Sequence, residues 1–175
     1  MVKKINIFFS LIILFVCFLI YSSERIYQDS DMDNMYLDIG NLLEIEFIKD
    51  GELYLKNNNN VIKKIDIELA DLDTEKKNGL KYRSFLKENR GMLFLLKDQE
   101  EYKQIDMKDM RISLDIVYIN QFNTVVFVNK YVNPMMKDIE YRNFSSTIKY
   151  VLEINAGMAN KWGIKEGVTK IIWMG

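Results

Sequence analysis

The chain has no histidine and a single cysteine, and these two absences exclude most common catalytic and metal sites. Without histidine, neither a Ser-His-Asp nor a Cys-His nucleophile system can be assembled. Zinc, copper and haem sites with His or Cys ligands are excluded in the same way, so any metal would need oxygen ligands and would be Ca²⁺ or Mg²⁺. A lone cysteine forms no intrachain disulfide. The sequence therefore predicts no metal site and no cofactor, and catalysis would depend on Asp, Glu, Lys, Tyr, Ser or Thr.

An excess of positive charge is also missing. The 175 residues include 24 Lys and Arg against 25 Asp and Glu, which gives a formal net charge of −1. Nucleic-acid binding requires a basic face, so it is not expected here. Apolar side chains, in contrast, make up 49% of the chain and suffice for the core of one domain.

The longest apolar run lies at the N-terminus. Lys3 and Lys4 precede a nearly pure apolar stretch over residues 5–21, which is close both to the ~17–25 residues of a membrane helix and to the ~7–15 of a signal peptide. We predict residues 1–25 to be a membrane anchor or signal peptide, and an uncleaved anchor is favoured because the cleavage site is poorly formed. Cys17 is interpreted as a buried membrane residue rather than a lipidation site, since bulky residues precede it.

This leader predicts where the protein lies. Lysines before an apolar run keep the N-terminus in the cytoplasm. The rest of the chain is then expected on the extracytoplasmic face of the cell membrane, as a single-pass protein held to the membrane by its N-terminal helix. Cleavage would instead give a secreted or periplasmic protein. Residues 26–40 are polar and acidic, and they are predicted to be a tether.

Residues 41–175 are predicted to form one mainly β domain. Their short alternating or apolar runs are separated by turn signals. Strands are expected at 61–70, 92–96, 112–119, 124–132, 148–154 and 168–174. An earlier hairpin is expected to turn at Asp50 and Gly51. Short helices are predicted from about Asp73, as a further turn leading to Gly91, and before Gly163. This pattern is typical of a β sandwich or small barrel with short helices.

Four motifs follow one another along this domain: ELADLDTEKKNGLKYR, GMLFLL, DMKDMRISLDIVYI and YVLEINAGMANKWGIKEG. In this order and spacing, over about residues 61–172, they resemble the Domain of Unknown Function 192 (DUF192) family. That family comprises small bacterial and archaeal proteins, often with an N-terminal signal or anchor. The resemblance implies a compact jelly-roll-like β fold and no established activity.

The resemblance also supplies the candidate binding residues. They are Arg83, Met107, Lys108, Asp115 and Glu153. The chain departs from the family pattern around them: the family's tryptophan is Asp106, its asparagine and threonine are Asp109 and Met110, its proline is Ser113, and the methionine of its Gly-Leu-Met motif is Lys81. An aromatic wall is thus missing and an extra negative charge is present, so a ligand common to the family is not implied for this chain.

Asp115 is unexpected within an apolar strand. Strand alternation places it on the same face as Val117 and Ile119, where it is predicted to be covered. A buried carboxylate must be paired or hydrogen-bonded. The favoured interpretation is an ion pair with Arg83 or Lys108, or acceptance of backbone N–H groups. The alternatives are a general acid or base, or a ligand or metal contact.

The other candidates have the same two kinds of interpretation. Arg83 and Glu153 are each favoured as one half of an ion pair that fixes a loop to the sheet. Glu153 and Asp115 in one cleft would instead suit glycoside hydrolysis. Met107 and Lys108 are predicted to be either a binding corner or a turn whose methionine fills the core.

The favoured function is a non-catalytic binding or assembly module at the bacterial envelope, for a small ligand, a glycan or a protein partner. The alternative is a carboxylate-based hydrolase that acts on an envelope polymer. A structural assembly factor beside a membrane complex is a third interpretation. An open cleft that gathers several of the candidate residues would favour a ligand or a substrate, whereas a dry ion-pair network would favour a scaffold.

Overall fold

A computed structural model describes residues 15, 16, 18, 44–98, 100–134 and 142–175. The chain divides into two units, Met1–Glu44 and Ile45–Gly175. Phe15, Val16 and Phe18 are helical; the remainder of the predicted anchor, and the predicted tether, lie outside the described residues. Over the part of the chain that is described, no helix is long and apolar enough to cross a bilayer.

Over its described residues, the second unit is built of seven strands and three short helical segments. In chain order these are β1 (Gly51–Asn57), β2 (Asn60–Ala70), helix α1 (Asp73–Asn78), β3 (Arg90–Leu95), a 3₁₀ helix (Glu101–Gln104), β4 (Leu114–Asn120), β5 (Val125–Val132), β6 (Ile148–Asn155), helix α2 (Met158–Lys161) and β7 (Thr169–Met174). The strands form one sheet in the order β5-β4-β6-β3-β2-β1-β7. Strands β2 and β3 run parallel, and the other neighbours pair antiparallel. The predicted mainly β class is confirmed.

The sheet curls until its two edges approach each other at one end. Thr124, just before β5, forms an isolated bridge with Lys170 of β7. The Ile171 N–H also donates to the Asn123 carbonyl oxygen at 2.9 Å. The domain is therefore neither the predicted two-sheet, jelly-roll-like sandwich nor a closed barrel. Register shifts in the β1–β2, β4–β5 and β4–β6 pairings bend the sheet. A single curled sheet can therefore show the same alternation of apolar side chains along its strands that a two-sheet sandwich would show.

Two apolar cores lie on the two faces of the sheet. The concave core receives side chains from all seven strands, among them Leu53, Leu55, Ile65, Ile67, Leu93, Val117, Ile119, Val125, Leu152, Ile154 and Ile171. The convex core combines the other faces of the central strands with the loops that cover them, through Leu80, Met92, Phe94, Met107, Met110, Ile116, Tyr118, Phe127 and Val151. Side chains at alternating positions of a strand thus enter different cores.

The first hairpin lies further along the chain than predicted. Residues 45–50 form no strand, and the chain turns between β1 and β2 at Asn58 and Asn59, whose φ angles are 48° and 75°. Asparagine is one of the few non-glycine residues enriched in this left-handed region. Asp50 is held in another way, because its N–H donates to the Ile67 carbonyl oxygen at 2.9 Å. The predicted turn at Asp50 and Gly51 is therefore wrong.

The helix predictions are confirmed at two of three places. Helix α1 begins at Asp73 and ends before Gly79, whose φ is 51°, and α2 lies before Gly163. The predicted helical turn leading to Gly91 is wrong. Tyr82 there has a φ of 65°, and its N–H donates to the carbonyl oxygen of Asp109 at 3.1 Å. That long-range bond replaces the local bonds that a helix would make.

Candidate functional site

A cavity of about 450 Å³ opens on the convex side of the sheet. Its wall is formed by α1 with the residues after it, by the 3₁₀ helix, and by the segment that leads from it to Met110. The apolar part of the lining consists of Leu80, Phe94, Leu96, Ile105 and Met110. Five carboxyl groups and three lysines complete it: Asp73, Asp98, Glu101, Asp106 and Glu153, with Lys76, Lys77 and Lys81. The cavity therefore combines an apolar wall with an acidic surplus.

Glu153 reaches this cavity from the sheet itself. In β6, Leu152 and Ile154 enter the concave core, so that Val151 and Glu153 face the convex side. The Glu153 side chain is only 5% exposed. It makes no hydrogen bond and no ion pair with any residue that the structure describes. A nearly buried carboxyl group thus borders the cavity without a protein partner.

The surroundings of Glu153 disfavour its charged form. Burial, reinforced by the negative charge of Asp106 and partly offset by Lys81, raises the pKa of Glu153 to about 8. Burial acts in this direction because a carboxylate loses its hydration when it leaves water. At neutral pH these surroundings therefore favour the protonated acid, which can donate as well as accept a hydrogen bond.

Lys81 and Asp106 face each other beside Glu153. The Lys81 Nζ lies 3.8 Å from the Asp106 Oδ1, and that oxygen also accepts the Lys108 N–H at 2.8 Å. These are the two positions at which the sequence departs from the family's methionine and tryptophan. Two of the departures from the family pattern thus meet in one cavity as a pair of opposite charges.

The rim charges of the cavity hold one another. The Lys76 Nζ lies 2.9 Å from the Glu101 Oε2, and the Lys97 Nζ lies 3.0 Å from the Asp73 Oδ1. Asp98 accepts two backbone N–H groups through its Oδ1, at 2.8 and 3.1 Å. The acidic groups of the rim therefore have partners, in contrast to Glu153 at the floor.

Arg83 is bound to a residue that the sequence did not indicate. Its Nη1 lies 2.8 Å from the Glu68 Oε2, and its Nη2 donates to Oε1 at 3.0 Å. The Ile48 N–H donates to the same Oε1 at 2.8 Å. The predicted Arg83–Asp115 pair is wrong. The alternation of β2, with Ile65 and Ile67 in the concave core, was the available signal that Glu68 faces the convex side.

Asp115 is fully buried in the concave core and is satisfied by the backbone. Its Oδ1 accepts the Tyr131 N–H at 2.9 Å, and its Oδ2 accepts the Ala159 N–H at 2.8 Å. Acceptance of backbone N–H groups, the second of the favoured interpretations, is confirmed. Asp115 joins β4 to β5 and to the start of α2, and neither Arg83 nor Lys108 contributes to this bonding.

The Met107–Lys108 corner is a turn that closes the convex core. Met107 is fully buried, whereas Lys108 is exposed and its N–H is held by Asp106. Asp109 follows with a φ of 61°. The corner is thus the turn whose methionine fills the core. Lys108 does not line the cavity.

Of the five predicted binding residues, the structure places only Glu153 in the cavity. Asp115 pairs with Ile154 across the sheet while Ile116 pairs with Glu153, so the two carboxylates point to opposite faces and share no cleft. Within the described ranges, no three Asp, Glu or Cys side chains lie close enough to hold a metal ion. The chemistry that this site offers is hydrogen bonding and charge pairing at Glu153.

Comparisons with other proteins agree with the observed fold. The sequence model of the DUF192 family, described as Uncharacterized ACR, matches residues 54–172, while no curated protein matches the chain. A solved structure described as a proposed transcription regulator from Sinorhizobium meliloti 1021 is 23% identical, with a TM-score of 0.61 over 74% of this chain and 97% of that one. A protein of unknown function from Novosphingobium aromaticivorans DSM 12444 is 26% identical, with a TM-score of 0.57 over 70% of this chain and 84% of that one.

Proposed function

Because the chain belongs to the DUF192 family, whose description names no activity, we propose a function from the cavity itself: the β domain is a non-catalytic module that binds a small ligand beside Glu153. The observation that carries this proposal is a carboxyl group that is almost fully buried, borders an open cavity and has no partner among the described residues.

An unpartnered buried carboxyl group is costly to a fold. Polar groups inside proteins are normally hydrogen-bonded, and one left unpaired costs about 1–3 kcal/mol or more. A ligand that bonds to Glu153 would offset this cost. The cavity volume of about 450 Å³ falls within the range of about 300–1,000 Å³ that is usual for small-molecule sites.

The other predicted functions have less support. The hydrolase alternative relied on Asp115 and Glu153 in one cleft, and the sheet separates them. A protein partner would need roughly 800 Å² of complementary surface on this protein. The cavity instead has the form of a pocket with one polar group, Glu153, at its floor. A small ligand is therefore favoured over a glycan polymer or a protein.

We propose further that the domain lies on the extracytoplasmic face of the cell membrane, held by residues 1–25. The support is Lys3 and Lys4 before the apolar run at 5–21. Alkaline phosphatase fused to the C-terminus is expected to be active, and a reporter that works only in the cytoplasm is expected to be inactive. The reverse pattern would contradict this location.

Ligand-observed NMR on the full-length protein tests the binding proposal. A mixed set of small amines, alcohols, amides, sugars and carboxylates is expected to give binders that are lost in Glu153→Leu, which removes the polar group from the floor. Glu88→Gln is the matched control, because Glu88 pairs with Lys161 on the surface away from the cavity. Binders that persist unchanged in Glu153→Leu, or a complete lack of binders, would contradict the proposal.

A further inference from the structure

The inference that follows rests on the proposed binding function and names its ligand class. We infer that the cavity binds an organic cation: an ammonium group held by Glu153, carried on an apolar body that packs against Leu80, Phe94 and Met110.

The charges around Glu153 favour a cation over an anion. The lysine that acts on the pKa of Glu153 is Lys81, and its Nζ lies against the carboxylate of Asp106. Arg83, on the same face of the sheet, is bound by Glu68. An ionised Glu153 therefore forms no ion pair within the described part of the chain, although Lys81 acts on it at longer range. An anionic ligand would add a further negative charge beside Glu153 and Asp106.

The rim of the cavity does not supply the missing cation. Lys76 is held by Glu101 and Lys97 by Asp73. Asp98 accepts backbone N–H groups. Lys77 lines the cavity but is exposed, and it is not among the charges that shift the pKa of Glu153. With five carboxyl groups against three lysines in the lining, the cavity is acidic at the floor and close to balanced at the rim. An ammonium group at the floor would remove that imbalance.

The shape of the site suits an ammonium group attached to an apolar body. The floor group is a single carboxyl that can accept charge-assisted hydrogen bonds from N–H donors, which are roughly twice as strong as neutral ones. The wall above it is formed by aliphatic, aromatic and thioether side chains, which offer no fixed donor or acceptor pattern. Recognition would therefore combine one strong polar contact with apolar packing.

This ligand class has a consequence for protons. In the free protein the pKa of Glu153 is raised to about 8, whereas in the complex an ammonium ion stabilises the carboxylate. Binding at pH 6–8 therefore releases a proton. The affinity for the cation should rise with pH by up to about tenfold per pH unit until Glu153 is ionised in the free protein. A neutral ligand that accepts a hydrogen bond from protonated Glu153 would show the opposite trend.

Calorimetric titration of the full-length protein with three matched probes tests this inference. Hexylammonium, 1-hexanol and hexanoate share one apolar body and differ in charge. At pH 6, 7 and 8 we expect hexylammonium to bind most tightly, more strongly at higher pH, with proton release seen as a dependence of the heat on the buffer. Glu153→Gln should weaken hexylammonium roughly 30-fold or more and leave 1-hexanol unchanged, while Glu88→Gln should alter neither.

The outcomes separate this inference from the proposed function. If 1-hexanol or hexanoate binds more tightly than hexylammonium in a Glu153-dependent manner, the cation inference is overturned and the binding function stands. The cation inference is also overturned, and the binding function stands, if the NMR set yields only neutral or anionic binders. It is likewise overturned if Glu153→Gln leaves hexylammonium affinity intact. If neither the three probes nor the NMR set binds, the binding function itself fails.

Discussion

Glu68 and Glu153 lie on the same face of the sheet and are equally buried, at 5% exposure each, yet their surroundings are opposite. Met92 pairs with Glu68 on one side and with Glu153 on the other, which sets the two glutamates about 10 Å apart at the usual strand spacing. Glu68 is held by Arg83 and by the Ile48 N–H. Glu153 has an open cavity instead. Burial alone thus does not tell a structural carboxylate from one available to a ligand.

The loops that cover the two glutamates account for the difference. The segment after α1 brings Arg83 over Glu68. The next covering segment brings Asp106 towards Glu153, and Lys81, a nearby cation, lies against Asp106. One loop therefore completes an ion pair, while the other leaves a gap of ligand size.

Removing either member of the Glu68–Arg83 ion pair should have the largest effect on the free energy of unfolding. Removal of one member of a buried ion pair leaves the other charge uncompensated, at a cost of about 3–5 kcal/mol. We expect Glu68→Gln and Arg83→Met each to lower the free energy of unfolding in urea at pH 7 by this amount. The double variant should lose less than the sum of the two. A loss below about 1 kcal/mol would mean that the pair behaves like an exposed one.

Substitution of Glu153 should have the next largest effect on the free energy of unfolding, and it should raise this free energy at pH 8 rather than lower it. Its pKa is about 8 in the folded protein against an ordinary 4.5, so the folded state binds the proton more tightly. The resulting stabilisation is complete below about pH 4.5 and is lost as the pH rises to 8, by at most about 1.4 kcal/mol per pH unit. Glu153→Gln should abolish this slope and be more stable than the wild type at pH 8, by about 2–4 kcal/mol.

Urea unfolding at pH 5, 6, 7 and 8 measures this pH dependence, with Glu88→Gln as the control that retains the wild-type slope. A Glu153→Gln variant that is less stable than the wild type at pH 8 would show that the carboxylate has a stabilising partner. The contrast with Glu68 would then disappear.

Asp115 is a third buried carboxylate, and it can be compared with Glu68 and Glu153 because, among the described residues, it accepts hydrogen bonds only from backbone N–H groups. Asp115→Asn keeps the shape but turns an NH₂ group towards one of two N–H donors. Since hydrogen bonds to charged groups contribute about 1.5–3 kcal/mol each, we expect a loss of about 2 kcal/mol in urea unfolding. The loss should add to that of Arg83→Met within about 0.5 kcal/mol. A larger coupling would indicate that the two side chains interact after all.

The smallest effects are expected at Lys81 and Asp106. Their contact at 3.8 Å is partly exposed, so Lys81→Gln and Asp106→Asn should each change the unfolding free energy by about 0–1 kcal/mol. They should nevertheless shift Glu153 in opposite directions. NMR titration of the Glu153 carboxyl group should show a higher pKa in Lys81→Gln and a lower one in Asp106→Asn. Equal or reversed shifts would place these charges too far from Glu153 to matter.

Local patterns in the sequence predicted most of the strands and the burial of Asp115. Alternation is a property of neighbouring residues, so the faces of β2, β4 and β6 could be worked out without knowledge of the fold. The turn at Asn58 and Asn59 was not predicted to be that of the first hairpin. Its role depends on two residues adopting positive φ, which the competing Asp-Gly signal obscured.

Pairings between distant residues could not be predicted in the same way. Asp115 is bonded to residues 16 and 44 positions away, and Arg83 to one 15 positions before it. Such contacts depend on strand order and on how loops fold back over the sheet. For the same reason Glu153 could be proposed as a candidate from the family motif, but the absence of a partner in the described residues became visible only in the structure.

The place where the two sheet edges meet has a consequence for hydrogen exchange. Strands β4 and β6 are paired on both sides, so their amides should exchange with deuterium only when the whole domain unfolds. At the seam a few bonds, such as those from Ile171 to Asn123 and from Gly167 to Val125, hold β7 near β5. Their amides should exchange through local opening, at a rate that denaturant changes little. The curled sheet would then open and reclose along this line while its centre remains protected.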